Sequence, residues 1–292
     1  MTQLIITQEL QNAKNEEAWY LNTQVPTIID EAKVQIQLAL LALGDSPLDN
    51  DKESAAGSTL AISSPSNDSI KGFVSIFGSQ ITKGELHFSI PRYHKGRPIV
   101  TRITPQHPVV LHQIQNIVNY LHLALRHVES SASPTGSVQA IEYFGDLLGL
   151  IKKAECIFTP DHSAGIQYPV KDLDPPLPDD LVLELYINRV SVTTRVHVLD
   201  DLNSSSSSST TKPIGHLFPV LGKSASAKSS LADAHLLCPG TLHQASLETI
   251  YPYLETAQTA LGKVGFLARD VLTKLNLFRG IDEEIQDFLS YA

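Results

Sequence analysis

Four segments of this chain place apolar residues at alternating intervals of four and three, and that repeat restricts its possible folds more than any other feature. The first runs Val25, Ile29, Ala32, Ile36, Ala39, Leu43. The second runs Val110, Ile114, Ile117, Leu121, Ala124, Val128, and the third Ala140, Phe144, Leu147, Ile151, Ala154, Phe158. The fourth and longest is Ile250, Leu254, Ala257, Leu261, Val264, Ala268, Val271, Leu275, Phe278. A mean spacing of about 3.5 holds one apolar seam on one side of a helix, and such seams pack at shallow angles, knobs into holes. Leu111, Val118 and Leu125 widen the stripe beyond a two-stranded seam, which predicts a multi-helix bundle. The alanines within the seams permit close helix approach.

The ends of these segments carry matching signals. Gly44 follows the last seam residue of the first helix, where a left-handed residue commonly stops a helix. Pro108 suits the first turn of the second helix, where a missing N–H costs nothing. Ser133-Pro134-Thr135-Gly136 separates the second helix from the third. Pro26 and Pro252 lie near helix starts, so each must begin its helix or kink it.

Between the helices the period changes to two. Ile70–Phe77 is apolar and β-branched; Leu86, Phe88 and Ile90 alternate with His87 and Ser89; Ile99, Thr101 and Ile103 alternate with Val100 and Arg102. Later, Leu181, Leu183, Leu185 and Ile187 alternate, as do Val190, Val192, Thr194, Val196 and Val198, with Asn188-Arg189 as the turn between them. Such alternation puts one strand face on a core and the other toward solvent. Helices and strands are therefore segregated, which predicts an α+β fold with antiparallel sheets. The expected bundle comprises residues 10–48, 107–160 and 243–285, and the β-rich part inserted into it residues 56–106 and 165–202. Residues 45–68, rich in Ser, Asp, Asn and Pro, and residues 203–232, with the run NSSSSSSTT, are expected to be loops. Neither buries enough apolar surface to offset the entropy of ordering.

Composition removes several function classes. The chain has 22 basic against 31 acidic residues, a net charge of −9, and no basic run. Phosphate neutralisation needs clustered Lys and Arg, so neither nucleic acid nor an anionic membrane is an expected partner. Cys156 and Cys238 are too few for a disulfide framework or a cysteine zinc site, which fits a reducing compartment. The opening MTQLIITQEL has neither the basic start nor the long apolar core of a secretory signal, so a cytoplasmic chain is expected.

No phosphate-cradling loop, dinucleotide fingerprint, zinc-protease helix, nucleophile elbow or calcium loop occurs, so no catalytic, cofactor or metal residue is assigned. His122, Arg126 and Asn119 form a polar stripe opposite the second seam, with His107 and His112 near that helix's start. They lack metal-ligand spacing and read as hydrogen-bonded structural histidines. Cys156, beside seam residue Ala154, reads as a small buried hydrophobe, because nothing on its face would lower its pKa. Asp179-Asp180 opens a strand, and Asp282-Glu283-Glu284 is a solvated tail; adjacent strand carboxylates point to opposite faces.

Several segments in order resemble the Rogdi leucine-zipper family, which includes the small subunit of the fungal RAVE complex. They are Lys71-Gly72, Gly78 and Pro91-Arg92 framing KGFVSIFGSQITKGELHFSIPR, the stretch LPDDLVLELYIN, Leu111-His112-Gln113-Ile114-Gln115, Glu16-Glu17 with Trp19, and the neighbourhood of Pro252. The resemblance spans about 16–279 and implies an elongated protein in two parts, a bundle made from both chain ends and a β-rich insertion. It also implies a non-catalytic role. Such a protein binds a large WD-repeat subunit and an Skp-type adaptor, and the complex rejoins the catalytic sector of the vacuolar proton pump to its membrane sector. Recruitment to the vacuolar or endosomal membrane is then peripheral. The family-matched positions Leu177, Pro178, Asp180, Tyr186 and Asn188 are the candidate partner-binding residues. The competing expectations are a scaffold or trafficking adaptor unrelated to the pump, and an enzyme with an unfamiliar site in the β-rich part.

Overall fold

The computed structural model describes residues 2–45, 58–64, 67–90, 93–130, 133–159, 167–168, 170–199 and 241–290. The serine run and its flanks at 203–232, Cys238, Pro91-Arg92 and most of the 45–68 segment lie outside them.

The fold is α+β. Helix α1 (Thr2–Trp19) runs through a five-residue π-helical turn, Tyr20–Gln24, into α2 (Val25–Ala42). The Val25 N–H bonds to the Tyr20 carbonyl, five residues back instead of four. Pro26 supplies the cause. It has no N–H for the carbonyl four residues earlier, and its ring crowds that carbonyl, so the turn before it widens. Pro26 thus stands in the first turn of α2, as expected of a proline near a helix start, and the turn before it is widened.

Helices α3 (His112–Ser130), α4 (Ser137–Ile157) and α5 (Pro252–Ser290) complete the bundle. Around it, α2 packs on α3, α3 on α4, α4 on α5 and α5 back on α2, with α1 also against α5. Seams account for this closure. Leu254, Ala257, Leu261, Val264, Ala268, Val271 and Leu275 of α5 are all fully buried. So are Ala140, Phe144 and Ala154 of α4, Ile117, Leu121 and Ala124 of α3, and Val25, Ile36 and Ala39 of α2. Lys33 on α2 reaches Glu129 on α3 at 3.0 Å outside the seam.

The first sheet is an antiparallel meander of β1 (Ser58–Ser64), β2 (Asn67–Phe77), β3 (Gln80–Phe88) and β4 (Ile99–Ile103), with the short β5 (Val109–Val110) pairing β3. The second is ordered β6 (Gln167–Tyr168), β7 (Leu181–Asn188), β8 (Ser191–Leu199), β9 (Thr241–Ile250). Strand β9 also touches β1 and β2, and one contiguous hydrophobic core runs through both sheets and the bundle.

Several expectations are corrected. Part of the 45–68 segment is strand β1, with Leu60 and Ile62 buried and alternating with Thr59, Ala61 and Ser63. Residues 241–250, placed mostly in the bundle on sequence, form β9; Ile250 is the last strand residue and 63% exposed, so it begins no seam. This stretch is extended because β8 offers it a full ladder, from Ser191↔Ile250 to Leu199↔Thr241. Pro108 precedes β5, and α3 starts four residues later at His112, so Val110 is a strand residue. The β7–β8 turn is Arg189-Val190, since Asn188 still pairs with Ser191.

Glycines join the two parts. Gly44 (φ +76) ends α2, with Gly44 N–H on the Leu41 carbonyl and Asp45 N–H on the Leu40 carbonyl, both 3.0 Å, the Schellman pattern. A Cβ on Gly44 would lie 3.0 Å from the backbone of Gly78 (φ +55), the first residue of the β2–β3 turn. Gly72 (φ +151) crosses β3 so closely that a Cβ would sit 1.9 Å from the Glu85 carbonyl oxygen. Glycine at Gly44 and at the family-matched Gly72 and Gly78 is thus demanded by backbone geometry.

Candidate partner-binding surfaces

Strand β7 carries its two faces as the alternation predicts. Leu181, Leu183, Leu185 and Ile187 point into the core, at 5% exposure or less. Glu184 and Tyr186 lie on the other face, opposite Arg195 and Thr193 of β8. That second face is also buried: Glu184 is 8% exposed, His197 4% and Thr193 0%. The Glu184 carboxylate pairs with His197 Nε2 at 3.2 Å and Arg195 Nη1 at 3.7 Å. The His197 hydrogen bond holds Glu184 below the usual carboxylate range, against the opposing effect of burial and with help from the charges of His197 and Arg195. The Arg195 guanidinium lies 5.1 Å from the centre of the Tyr186 ring. Among the described residues, His197 Nδ1 and Arg195 Nε find no hydrogen-bond partner. Charges held this way fix strand register, because a one-residue slip would separate them.

The five sequence-predicted positions do not form one patch. Leu177 is core, and its N–H bonds to the Val170 carbonyl at 3.2 Å. The Pro178 carbonyl accepts the Leu181 N–H at 3.0 Å. Asp180 accepts the Tyr93 hydroxyl at 2.6 Å, and burial followed by this bond pushes the Tyr93 phenol up. Tyr186 is buried beneath Arg195. Asn188 donates to Glu248 of β9 at 3.0 Å. Leu177 and Pro178 precede the strand, whereas Tyr186 and Asn188 share a face near its far end.

Histidines are similarly tied down. His122 on α3 pairs with Asp45 just past the α2 cap. His127 meets the Tyr143 carbonyl on α4 at 3.0 Å, and His87 meets Glu85 at 2.9 Å. Cys156 is exposed, not buried as expected, because two positions beyond Ala154 turns a helical residue roughly 200° from the seam. No group of three or more His, Cys, Asp or Glu among the described residues could hold a metal. No described helix is long and apolar enough to cross a membrane.

The surface that sequence reading missed lies where α1 meets the far part of α5. Glu16, Trp19, Tyr20, Gln24, Lys274, Leu277, Phe278 and Ile281 line a groove of about 500 Å³. Tyr20, 6% exposed, forms its floor, with the Phe278 ring 6.2 Å away centre to centre. Trp19, Leu277 and Ile281 stand on its walls at 55%, 62% and 41% exposure. Lys274 bonds to Asp270 at 2.7 Å, which raises its pKa, and lies 5.5 Å from the Tyr20 ring centre. The π-helical turn builds this site: it sends Tyr20 and Leu21 inward while Trp19 stays outward. One signal was available in sequence. Leu277 and Ile281 are apolar, four apart and off the heptad seam, an unexplained second stripe.

A comparison with curated proteins finds no match. A family model described as Rogdi leucine zipper containing protein matches residues 16–260, which takes in the Trp19 side of the groove, both sheets and most of the bundle, and the chain therefore belongs to the Rogdi leucine-zipper family.

Proposed function

We propose that this protein is a non-catalytic subunit of a RAVE-type complex, which promotes assembly of the vacuolar proton-translocating ATPase and so vacuolar acidification. Its partners are a large WD-repeat subunit, an Skp-type adaptor and the catalytic sector of the pump. It acts from the cytoplasm and is held peripherally at the vacuolar or endosomal membrane through those partners. The observation that carries this reading is family membership over residues 16–260. Physical support comes from surface: the core is filled by the chain's own seams, yet bulky apolar side chains remain exposed at Trp19, Leu277 and Ile281. Exposed apolar groups gathered in a groove fit a chain that works by association.

The test is a tagged pull-down from the native cell with mass spectrometry, in the presence of glucose and after its withdrawal. Recovery of a WD-repeat protein together with pump subunits is the expected result. Trafficking proteins in their place would move the function to an adaptor unrelated to the pump.

A further inference from the structure

The chain has no basic run, yet the first sheet gathers cations that are scattered in sequence. Residues 58–110, which hold β1 to β5, carry six basic and two acidic residues, against 16 basic and 29 acidic in the rest of the chain. The ladder places several on one face. Phe73 of β2 stands opposite Glu85 of β3, and Glu85 opposite Arg102 of β4. Lys83 and His87 flank Glu85 two residues away on either side, and Lys71 stands opposite His87. Period two turns these six side chains away from Val74, Leu86 and Ile103, which are buried. Their face is open: Phe73 is 44% exposed, and the Lys71 and Arg102 side chains are 54% and 60% exposed.

The charges on this face do not balance. Among the described residues Glu85 is the one carboxylate within it, and it is shared: Oε1 pairs with His87 and Oε2 with Arg102 Nε, both at 2.9 Å. No hydrogen bond among the described residues occupies the Arg102 Nη groups, and Lys83 has no ion-pair partner among them. Lys71 reaches Asp68 at 2.9 Å on the rim, an exposed pair that holds weakly and can exchange partners. A positive face on an otherwise acidic molecule selects a partner of opposite charge.

Size and shape narrow that partner. The cations span about 10 Å across the strands and about 13 Å along them, room for a peptide segment of a few residues. A nucleic acid or a membrane would bring further phosphates against the acidic remainder of the chain. Phe73 in the midst of the cations adds an apolar platform, and an aromatic ring beside Arg is a composition enriched at protein interfaces.

We propose that the outer face of the first sheet docks an acidic segment of a protein partner, with Asp or Glu residues flanking one bulky apolar residue. The apolar residue packs on Phe73, and the carboxylates meet Lys71, Lys83 and the Nη groups of Arg102. The inference deepens the assembly reading and depends on it only for the partner's identity.

The probe is a dye-labelled synthetic peptide of glutamates around a central leucine, titrated with the full-length protein and read by anisotropy. Saturable binding that weakens with added salt is expected. Lys71→Gln/Lys83→Gln should bind about tenfold more weakly. Lys152→Gln/Lys153→Gln, the same charge change at exposed sites on α4, should bind like the wild type. The altered side chains are exposed, so the fold should survive, with an unchanged melting temperature as the check. A peptide with serine in place of its leucine should bind the wild type several-fold more weakly, a measurement that leaves the protein unaltered.

No saturable binding, equal loss in both lysine pairs, or equal affinity for the serine peptide would overturn the proposal. So would tighter binding to polyuridylate or to phosphatidylserine vesicles than to the peptide, which would make the occupant a nucleic acid or a membrane. Wild-type self-association abolished by Lys71→Gln/Lys83→Gln would make it a second copy. In the pull-down, that variant should lose the partner that the wild type captures. A wild type that captures no pump proteins rejects the assembly reading and leaves the peptide titration to decide the face; a variant that retains them rejects the face as their docking site.

Discussion

The bundle and the second sheet both bury their packed faces, but with opposite chemistry. Along α5 every buried seam position from Leu254 to Leu275 is apolar. On the outer face of β7 and β8 the buried residues include Glu184, Thr193 and His197, with Arg195 close by. Apolar seams are non-directional: they drive association strongly and tolerate small shifts. A buried charge network contributes little net stability, but it penalises every register except one. The bundle is thus the source of cohesion, and the sheet face is a source of specificity.

The largest effect should come from placing the chemistry of one region in the other. Leu261→Asp buries an unpaired charge in the α5 seam and should cost on the order of 4 kcal/mol or more, read as a lower urea midpoint. A midpoint unchanged from wild type would mean the seam is not the cohesive element. Gly72→Ala tests backbone fit where β2 crosses β3. One strained conformation and one overpacked contact should together cost roughly 3 kcal/mol in the same assay.

Glu184→Ala removes the anion from beneath His197 and Arg195, leaving their polar groups buried, and should cost about 2 kcal/mol. Acid should act in the same direction. Folding lowers the Glu184 pKa from the ordinary glutamate value of 4.5, so its contribution is present above that value and is lost as pH falls through the folded value. The urea midpoint of the wild type should fall below pH 4.5, and the fall should be smaller in Glu184→Ala. An identical acid dependence would assign it to other carboxylates, Glu85 first, which its hydrogen bonds to His87 and Arg102 hold low. The smallest effect belongs to the exposed end of α5. Leu277→Asp should change stability by no more than about 0.5 kcal/mol, since the side chain is 62% exposed and a charge there stays in water.

The parts of the fold legible in sequence were those set by local repetition. The four seams identify α2 to α5, an apolar β-branched run identifies β2, and period-two alternation identifies β3, β4, β7 and β8. Gly44 as a helix stop follows from the need for a left-handed residue. What escaped was structure defined by distant partners. TLHQASLETI has no strong strand pattern, and β9 exists because β8 has an edge to pair. Strand β1 was obscured by a polar, serine-rich context, though Leu60 and Ile62 pack inward. The five family-matched residues of 177–188 stood out in sequence, yet each makes contacts within the chain.

The groove shows the division between the two levels most clearly. The sequence by itself determined that an apolar residue stands at each of Trp19, Tyr20, Leu277, Phe278 and Ile281, because identity and helical spacing are local properties. Which of them are buried was decided by tertiary structure. Residues about 250 positions apart must meet for Tyr20 to cover Phe278, and no local periodicity encodes that meeting. The extra residue in the π-helical turn then sets which ring turns inward, so side chains that would otherwise extend the core leave part of their surface exposed.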